Sequence, residues 1–287
     1  MLRREGGAMT AGTLHLVATP IGNLGDMTAR AIDTLRACPI VCCEDTRHSG
    51  RLLQHFGISP ERMIVVNEHT EYDAARTIVD LLQSGVDVAL VTDAGSPGIS
   101  DPGEYVVAEA VRAGIRVTSA PGASALVMAL TTSGLPTRRF VFEGFLPRSG
   151  TQRTERIAAV RDERRTTVLY EAPHRLQRTL DDLLAACGPQ RRVVVTRELT
   201  KLHEEIVRGT LGDVVARVAE SEPRGEYVIV VGAAPEPTAA TDDDVVRLLR
   251  EKIAAGTSTK DAATEVAEQL GVSRRRAYEL ALDVKRD

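Results

Sequence analysis

Five short apolar runs, each closed by polar, glycine or proline residues and separated from the next by a longer connection, constrain the first half of this chain more than any other feature. LHLVA (14–18), PIVCC (39–43), MIVVN (63–67), VDVALVT (86–92) and IRVTSA (115–120) read as strands, and amphipathic stretches such as 26–37 and 74–83 read as helices between them. Strand alternating with helix predicts a parallel sheet covered by helices, since parallel neighbours need long crossovers and both sheet faces must be buried. Around Ser133 to Thr137 a Gly-Leu-Pro turn breaks the pattern. A second series follows: FVFEGF (140–145), TTVLYEA (166–172), RVVVTREL (192–199), EIVRGT (205–210) and EYVIVVG (226–232), with helices near 174–186 and 211–221. After the Pro/Ala-rich AAPEPTAAT come three helical segments near 242–255, 258–270 and 273–286. The expected organisation is an α/β chain of two α/β domains, 13–136 and 137–233, with a small helical domain at 241–287.

Composition excludes several classes. With 287 residues, 43% hydrophobic and 26% charged, the chain has ordinary globular usage and enough length to bury a sizeable core. No apolar run approaches the roughly 20 residues that span a bilayer, and MLRREGGAMTAG lacks a signal-peptide core, so a cytoplasmic protein without membrane association is expected. Cys38, Cys42, Cys43 and Cys187 lack paired CxxC spacing, so neither a disulfide framework nor a metal site is expected; adjacent Cys42 and Cys43 should face opposite sides of their strand. The formal charge is −4, yet residues 138–208 carry 15 basic and 10 acidic side chains against 10 and 15 in residues 1–137. A basic face on an acidic protein is compatible with a polyanionic partner, as it is with plain solvated helix faces.

The chemistry should gather at the carboxyl ends of the first sheet's strands, where doubly wound folds bind ligands. After the first strand, ATPIGNLGD (18–26) is a tight Pro/Gly turn without a GxGxxG fingerprint. After the second, EDTRHSG (44–50) puts Glu44, Asp45, Arg47 and His48 in one short loop, suited to orienting a polar substrate or to capping the following helix through Asp45 or Ser49. After the fourth, DAGSPGISDPG (93–103) combines rigid and permissive positions, and Asp93 or Ser96 can hydrogen-bond a ribose or an amino-acid group. After the fifth, PGASA opens a helix at Ser124. No GxxxxGK[ST], HExxH or GxSxG is present, which argues against P-loop hydrolysis, zinc peptidases and α/β hydrolases. In the tail, Asp242 or Asp243, Ser258 and Ser273 can cap three helices, with Gly271 as the turn and Arg274, Arg275 and Arg276 in the last helix's first turn. That reads as a helix-turn-helix facing nucleic acid or as a small helical cap.

The strings LVATPIGNLGDMTARA, CEDTRHSGRLL, VTDAGSPGISDPG, PGASA, GFLPR, YEAPHR, RELTKLHEE and RGEYVIVV, in that order, resemble the ribosomal RNA small subunit methyltransferase I family, a branch of the tetrapyrrole methylases, over residues 13–287. The resemblance implies two α/β domains of the tetrapyrrole methylase type with a helix-turn-helix-like tail, S-adenosylmethionine bound in the cleft between the domains, and 2′-O-methylation of a cytidine in 16S ribosomal RNA of the 30S subunit by a homodimer. Carried over by position, it assigns the cofactor to Pro20, Asp93, Gly95, Ser96, Pro97, Ser124, Ala125, Tyr170 and Glu171. Glu44 and Asp45, assisted by a deprotonated Lys201, are the candidate catalytic groups, and Arg47, His174, Arg175 and Arg197 the candidate RNA contacts. Tetrapyrrole enzymes usually carry a GxGxGD-like string where this chain has ATPIGNLGD, which favours the RNA branch over corrin or porphyrin substrates. A small-molecule methyltransferase of the same fold and a DNA-binding regulator are the alternatives.

Overall fold

In the computed structural model, which describes residues 10–220, 222–236 and 240–284, the chain divides into two compact units, 1–234 and 235–287. The first unit opens with β1 (Thr13–Val17), α1 (Ala29–Ala37), β2 (Ile40–Cys43), α2 (Thr46–His55), β3 (Arg62–Val65), α3 (Glu71–Gln83), β4 (Val88–Leu90), α4 (Glu104–Arg112) and β5 (Arg116–Ala120). These strands form one sheet in the order β3-β2-β4-β1-β5, every neighbouring pair parallel. Side-chain alternation sends Leu14, Cys42 and Leu90 into a core with α3 and α4, whereas Val17, Val41, Cys43 and Ala89 pack with α1 and α2 on the opposite face. Cys42 and Cys43 therefore lie in different cores, as expected from their adjacency.

α5 (Ala125–Thr132) leads into the second sheet, built from β6 (Phe140–Phe145), α6 (Thr151–Asp162), β7 (Thr166–Glu171), α7 (Pro173–Cys187), β8 (Arg192–Arg197), β9 (Glu205–Thr210), α8 (Leu211–Ala219) and β10 (Tyr227–Val231). Its order is β6-β7-β10-β8-β9, with β6–β7 parallel and the other pairs antiparallel. One face packs on α6, α7 and α8 through Val160, Leu176, Leu180, Leu183, Leu211 and Val214. The other face, carrying Val168, Val194, Val228 and Val230, packs on Ala129 and Leu130 of α5 and on Ile21 from the loop after β1. That shared core joins the two sheets and sets the width of the crevice between them.

Several boundaries differ from the sequence expectation for identifiable reasons. The helix expected from residue 26 starts at Ala29, because the Thr28 side chain caps it by accepting from Ala31 N–H while Leu24–Asp26 form a separate 3₁₀ turn. α3 starts three residues earlier than expected, after a turn in which the Asn67 side chain accepts from the amides of His69 and Thr70. α4 follows the long glycine-rich loop and α6 is mostly polar; both escaped the strand-and-helix pattern. The strand expected over 86–92 keeps only Val88–Leu90, and after a last bond from Val91 N–H to the Cys42 carbonyl at 2.9 Å the backbone leaves the sheet to build the site.

In the second unit α9 (Asp242–Ala254), α10 (Thr259–Leu270) and α11 (Arg274–Val284) enclose Val245, Leu249, Val266, Ala277 and Ala281. The cap of α9 is Thr241, in a reciprocal box with Asp244, and not Asp242 or Asp243. Ser258 caps α10, and Gly271 ends it in the left-handed region at φ 64°. The last two residues of the helix expected to reach 286, and the last three of the domain expected to end at 287, lie outside the described residues.

Candidate active-site crevice

The crevice is organised by two loops fastened across the carboxyl end of the first sheet. Beyond β1 and β4, Thr19 N–H donates to the Gly95 carbonyl at 2.8 Å, Gly95 N–H returns a bond to the Thr19 carbonyl at 3.2 Å, and Thr19 Oγ1 donates to the Thr92 carbonyl at 3.0 Å. Gly95 makes this turn at φ 81°, which a side chain would strain. The rest of the loop is pinned at its far end: Glu71 Oε1 on α3 accepts from the amides of Gly103 and Tyr105, each at 2.9 Å, and of Val106 at 3.3 Å. Those are the free donors at the start of α4, which has no side-chain cap of its own. Between the two anchors Ser100 is held at φ 61°, with Gly144 of the second sheet packed against its hydroxyl.

Two cavities result. One of about 340 Å³ runs between the sheets, lined by Gly95, Ser96, Ile99, Asp101, Ser124, Ala125, Phe145, Tyr170 and Val228 among others. Ser124 stands at the head of α5 without making a side-chain cap, and Tyr170 Oη accepts from Leu126 N–H at 3.1 Å, bridging the second sheet to that helix. The other, about 330 Å³, shares the wall of Ile21, Ala94 and Glu226 and is lined by Pro20, Gly22, His48, Arg51, Asp93 and Lys201. Apolar surface dominates both, and three basic side chains mark the second. Asp93 Oδ1 is buried with no hydrogen-bond partner in the protein, a cost normally met by a bound donor.

Electrostatics separates the candidate catalytic groups. Burial and the neighbouring Asp93 charge raise the Glu44 pKa against a hydrogen bond from the Asp93 amide, so Glu44 is a better proton acceptor than an ordinary glutamate. Asp45 does something else. It caps α2, accepting from Arg47 N–H at 2.8 Å and pairing with the Arg47 guanidinium at 3.0 Å, and those hydrogen bonds hold it down to about 2. The expected deprotonated Lys201 is likewise corrected. Burial works to lower its pKa, but hydrogen bonds to Glu198 and Glu226, both 2.8 Å, outweigh burial and raise it, so Nζ stays charged. Asp101, which the sequence reading did not single out, is pushed up to about 7 by burial and by the charges of Glu44, Asp93 and Glu226.

The remaining expected residues divide by position. Pro20, Asp93, Gly95, Ser96, Ser124, Ala125 and Tyr170 line the crevice. Pro97 is buried behind it, against Gly103. Glu171 contributes only its main chain to the wall, because its carboxylate turns inward to accept from Thr179 Oγ1 at 2.6 Å and pair with Arg175 at 3.2 Å. Arg175 is committed to that pair and to the Leu146 carbonyl at 2.5 Å, which removes it from the RNA-facing set. Arg47 and His174 are exposed outside the two linings, and Arg197 is half-buried, bonded to the Arg224 carbonyl at 2.8 Å. Arg51, one helical turn after Arg47, is the α2 arginine that reaches the crevice; that i,i+4 spacing was its only signal in the sequence.

Residues 13–215 match the family described as Tetrapyrrole (Corrin/Porphyrin) Methylases, and residues 239–285 match the RsmI C-terminal HTH domain. The chain is 46% identical over 278 residues to Ribosomal RNA small subunit methyltransferase I of Synechocystis sp., covering 96% of this chain and 99% of that one. It is 41% identical over 285 residues to the Escherichia coli O157:H7 protein of the same name, covering 99% of each. Among solved structures, a uroporphyrin-III C-methyl transferase from Thermus thermophilus complexed with S-adenyl homocysteine aligns with TM-score 0.54 at 20% identity over 77% of this chain and 97% of that one. Diphthine synthase aligns at 0.60 with 18% identity over 77% and 89%. These last two share the fold. With a family match over most of its length and full-length relatives above 40% identity, the chain belongs to the tetrapyrrole methylases, in the ribosomal RNA small subunit methyltransferase I branch.

Proposed function

We propose that this chain transfers a methyl group from S-adenosylmethionine to the 2′-hydroxyl of a cytidine in 16S ribosomal RNA, acting in the cytoplasm on the 30S subunit as a homodimer. The observation that carries the reading is full-length kinship, through both compact units, with proteins named for methylating small-subunit ribosomal RNA. The crevice fits the donor: the cavity lies in the range of small-molecule sites, its apolar walls suit an adenine ring, and the unpartnered Asp93 Oδ1 suits a hydroxyl or ammonium donor. Asp93, Gly95, Ser96, Ser124, Ala125 and Tyr170 would hold it, with Pro20 and the Glu171 main chain at the rim and Pro97 stiffening the loop from behind. When bound, the donor supplies an electrophilic methyl group on a positively charged sulfur.

The residues do the rest by positioning. Glu44 accepts a hydrogen bond from the 2′-hydroxyl and aligns its oxygen. Lys201, kept cationic by Glu198 and Glu226, joins Arg51 and His48 in holding the phosphates on either side, with Arg47, Arg197 and His174 farther out along the strand. Labelled methyl transfer to 30S subunits, free 16S ribosomal RNA and a precorrin tests the reading: label is expected in the subunit or its RNA, and label in the precorrin alone replaces it with a small-molecule methylase. Calorimetry on Asp93→Ala should show weakened donor binding, and unchanged affinity would remove Asp93 from the donor site.

A further inference from the structure

Asp101 has no place in the reading above, yet it is the one carboxylate on the wall of the first cavity that has no hydrogen bond or ion pair among the described residues. Its place is tightly specified. The chain bends through Ser100 in the left-handed region, closes with a bond from Gly98 N–H to the Pro102 carbonyl at 3.2 Å, and is anchored one residue later by Glu71 on Gly103. Tyr170 on β7 and Glu226 ahead of β10 share its cavity wall, and the charges of Glu44 and Asp93, from the loops after β2 and β4, act on it together with that of Glu226. No cation of the protein is among them. Such an arrangement is costly to a carboxylate unless a positive ligand enters.

Resting on the donor site proposed above, we infer that Asp101 responds to the charge on the donor sulfur, ionising when a sulfonium binds and receiving the proton of the 2′-hydroxyl when methyl transfer removes that charge. The balance closes within the site. The ribose oxygen gains the methyl carbon, the carbon–sulfur electron pair stays on sulfur, and the hydroxyl proton, taken by Glu44 along its hydrogen bond, passes on to the Asp101 carboxylate. Sulfur leaves neutral and Asp101 neutral, so the crevice gains no uncompensated charge. Burial, reinforced by the repulsion of Glu44, Asp93 and Glu226, poises Asp101 for this by raising its free-state pKa to about 7. A cation nearby lowers it; a thioether does not.

Calorimetry of the full-length protein at pH 7, in buffers of different ionisation enthalpy, reads the protons exchanged when S-adenosylmethionine or S-adenosylhomocysteine binds. About half a proton per site should be released with the sulfonium, and close to none with the thioether, because a group with a pKa near 7 is half protonated there. Asp101→Asn should abolish the difference and lower the single-turnover methylation rate by at least tenfold. Glu44→Gln should only reduce the release at pH 7 and move its window to lower pH. Equal proton exchange for the two ligands in the unaltered protein overturns the inference, whatever the variant does, as does a difference that survives in Asp101→Asn. Failure to bind either ligand overturns the donor site itself, a result distinct from binding without proton linkage.

Discussion

At the scale of single residues, adjacent carboxylates acquire opposite properties from their surroundings. Glu44 ends a buried strand beside Asp93, whereas Asp45, one position on, is bound to Arg47 and to the first turn of α2. Asp45→Asn keeps a capping side chain and should change kcat by less than about threefold, while Glu44→Gln should cost about 10²-fold, in the range of a lost proton-handling group; equal losses would return Asp45 to the catalytic set. Asp101 also predicts how stability depends on pH. Its folded pKa, about 7, lies above the carboxylate value of the unfolded chain, so the folded state holds the extra proton and stability falls as pH rises from about 4 to 7. Thermal midpoints of Asp101→Asn should match the parent near pH 4 and exceed it increasingly toward pH 8, and a pH-independent difference would show that burial among acidic neighbours is not what Asp101 experiences. The sequence made Glu44 and Asp93 visible as strand-end residues. It gave Asp101 and Glu226 no such mark, because their significance is mutual and arises only when β4 and β10 are brought together.

Among the elements, α4 shows how a helix far from the chemistry can govern it. Its N-terminal amides are satisfied by Glu71 on α3, across the face of the first sheet, and the loop that carries Ser96 and Asp101 ends on that anchor. Glu71→Ala leaves three amides without an acceptor and should destabilise the first unit by about 1–3 kcal/mol, with weaker donor binding, as read by denaturant melts and calorimetry. Glu71→Gln, which retains an acceptor oxygen, should recover most of both; a melt of Glu71→Ala superimposable on the parent's would show that the loop holds itself. Strand runs and the helices α1, α3, α7 and α8 were legible because their apolar residues repeat at one fixed period. α6 was not, since its helix is largely polar and Arg153, buried within it, is stabilised by Asp182 and Thr179 from α7, partners that local sequence does not reveal.

For the whole molecule, the two compact units divide the chemistry from the tail. In α11, Arg274, Arg275 and Arg276 are exposed to differing degrees and pair with Glu268, Glu279 and Asp242. Exposed pairs are worth about 0–1 kcal/mol, so phosphates can displace them. If the tail contacts RNA, reversing all three to glutamate should weaken binding to 16S ribosomal RNA and flatten its salt dependence by about one unit of slope per lost phosphate contact, leaving donor affinity untouched; an unchanged slope would assign the tail to another role. The order of the strands, the alternating faces that split Cys42 from Cys43, and the glycine-rich loops where ligands collect were all determined by the sequence alone, because periodicity and backbone permissiveness are local properties. The mixed pairing that inserts β10 between β7 and β8, the inward turn of Glu171 and Arg175, the charged state of Lys201 and the isolation of Asp101 were decided only by tertiary structure. Each depends on the distance and charge of groups remote in the chain, and a linear order of residues carries neither.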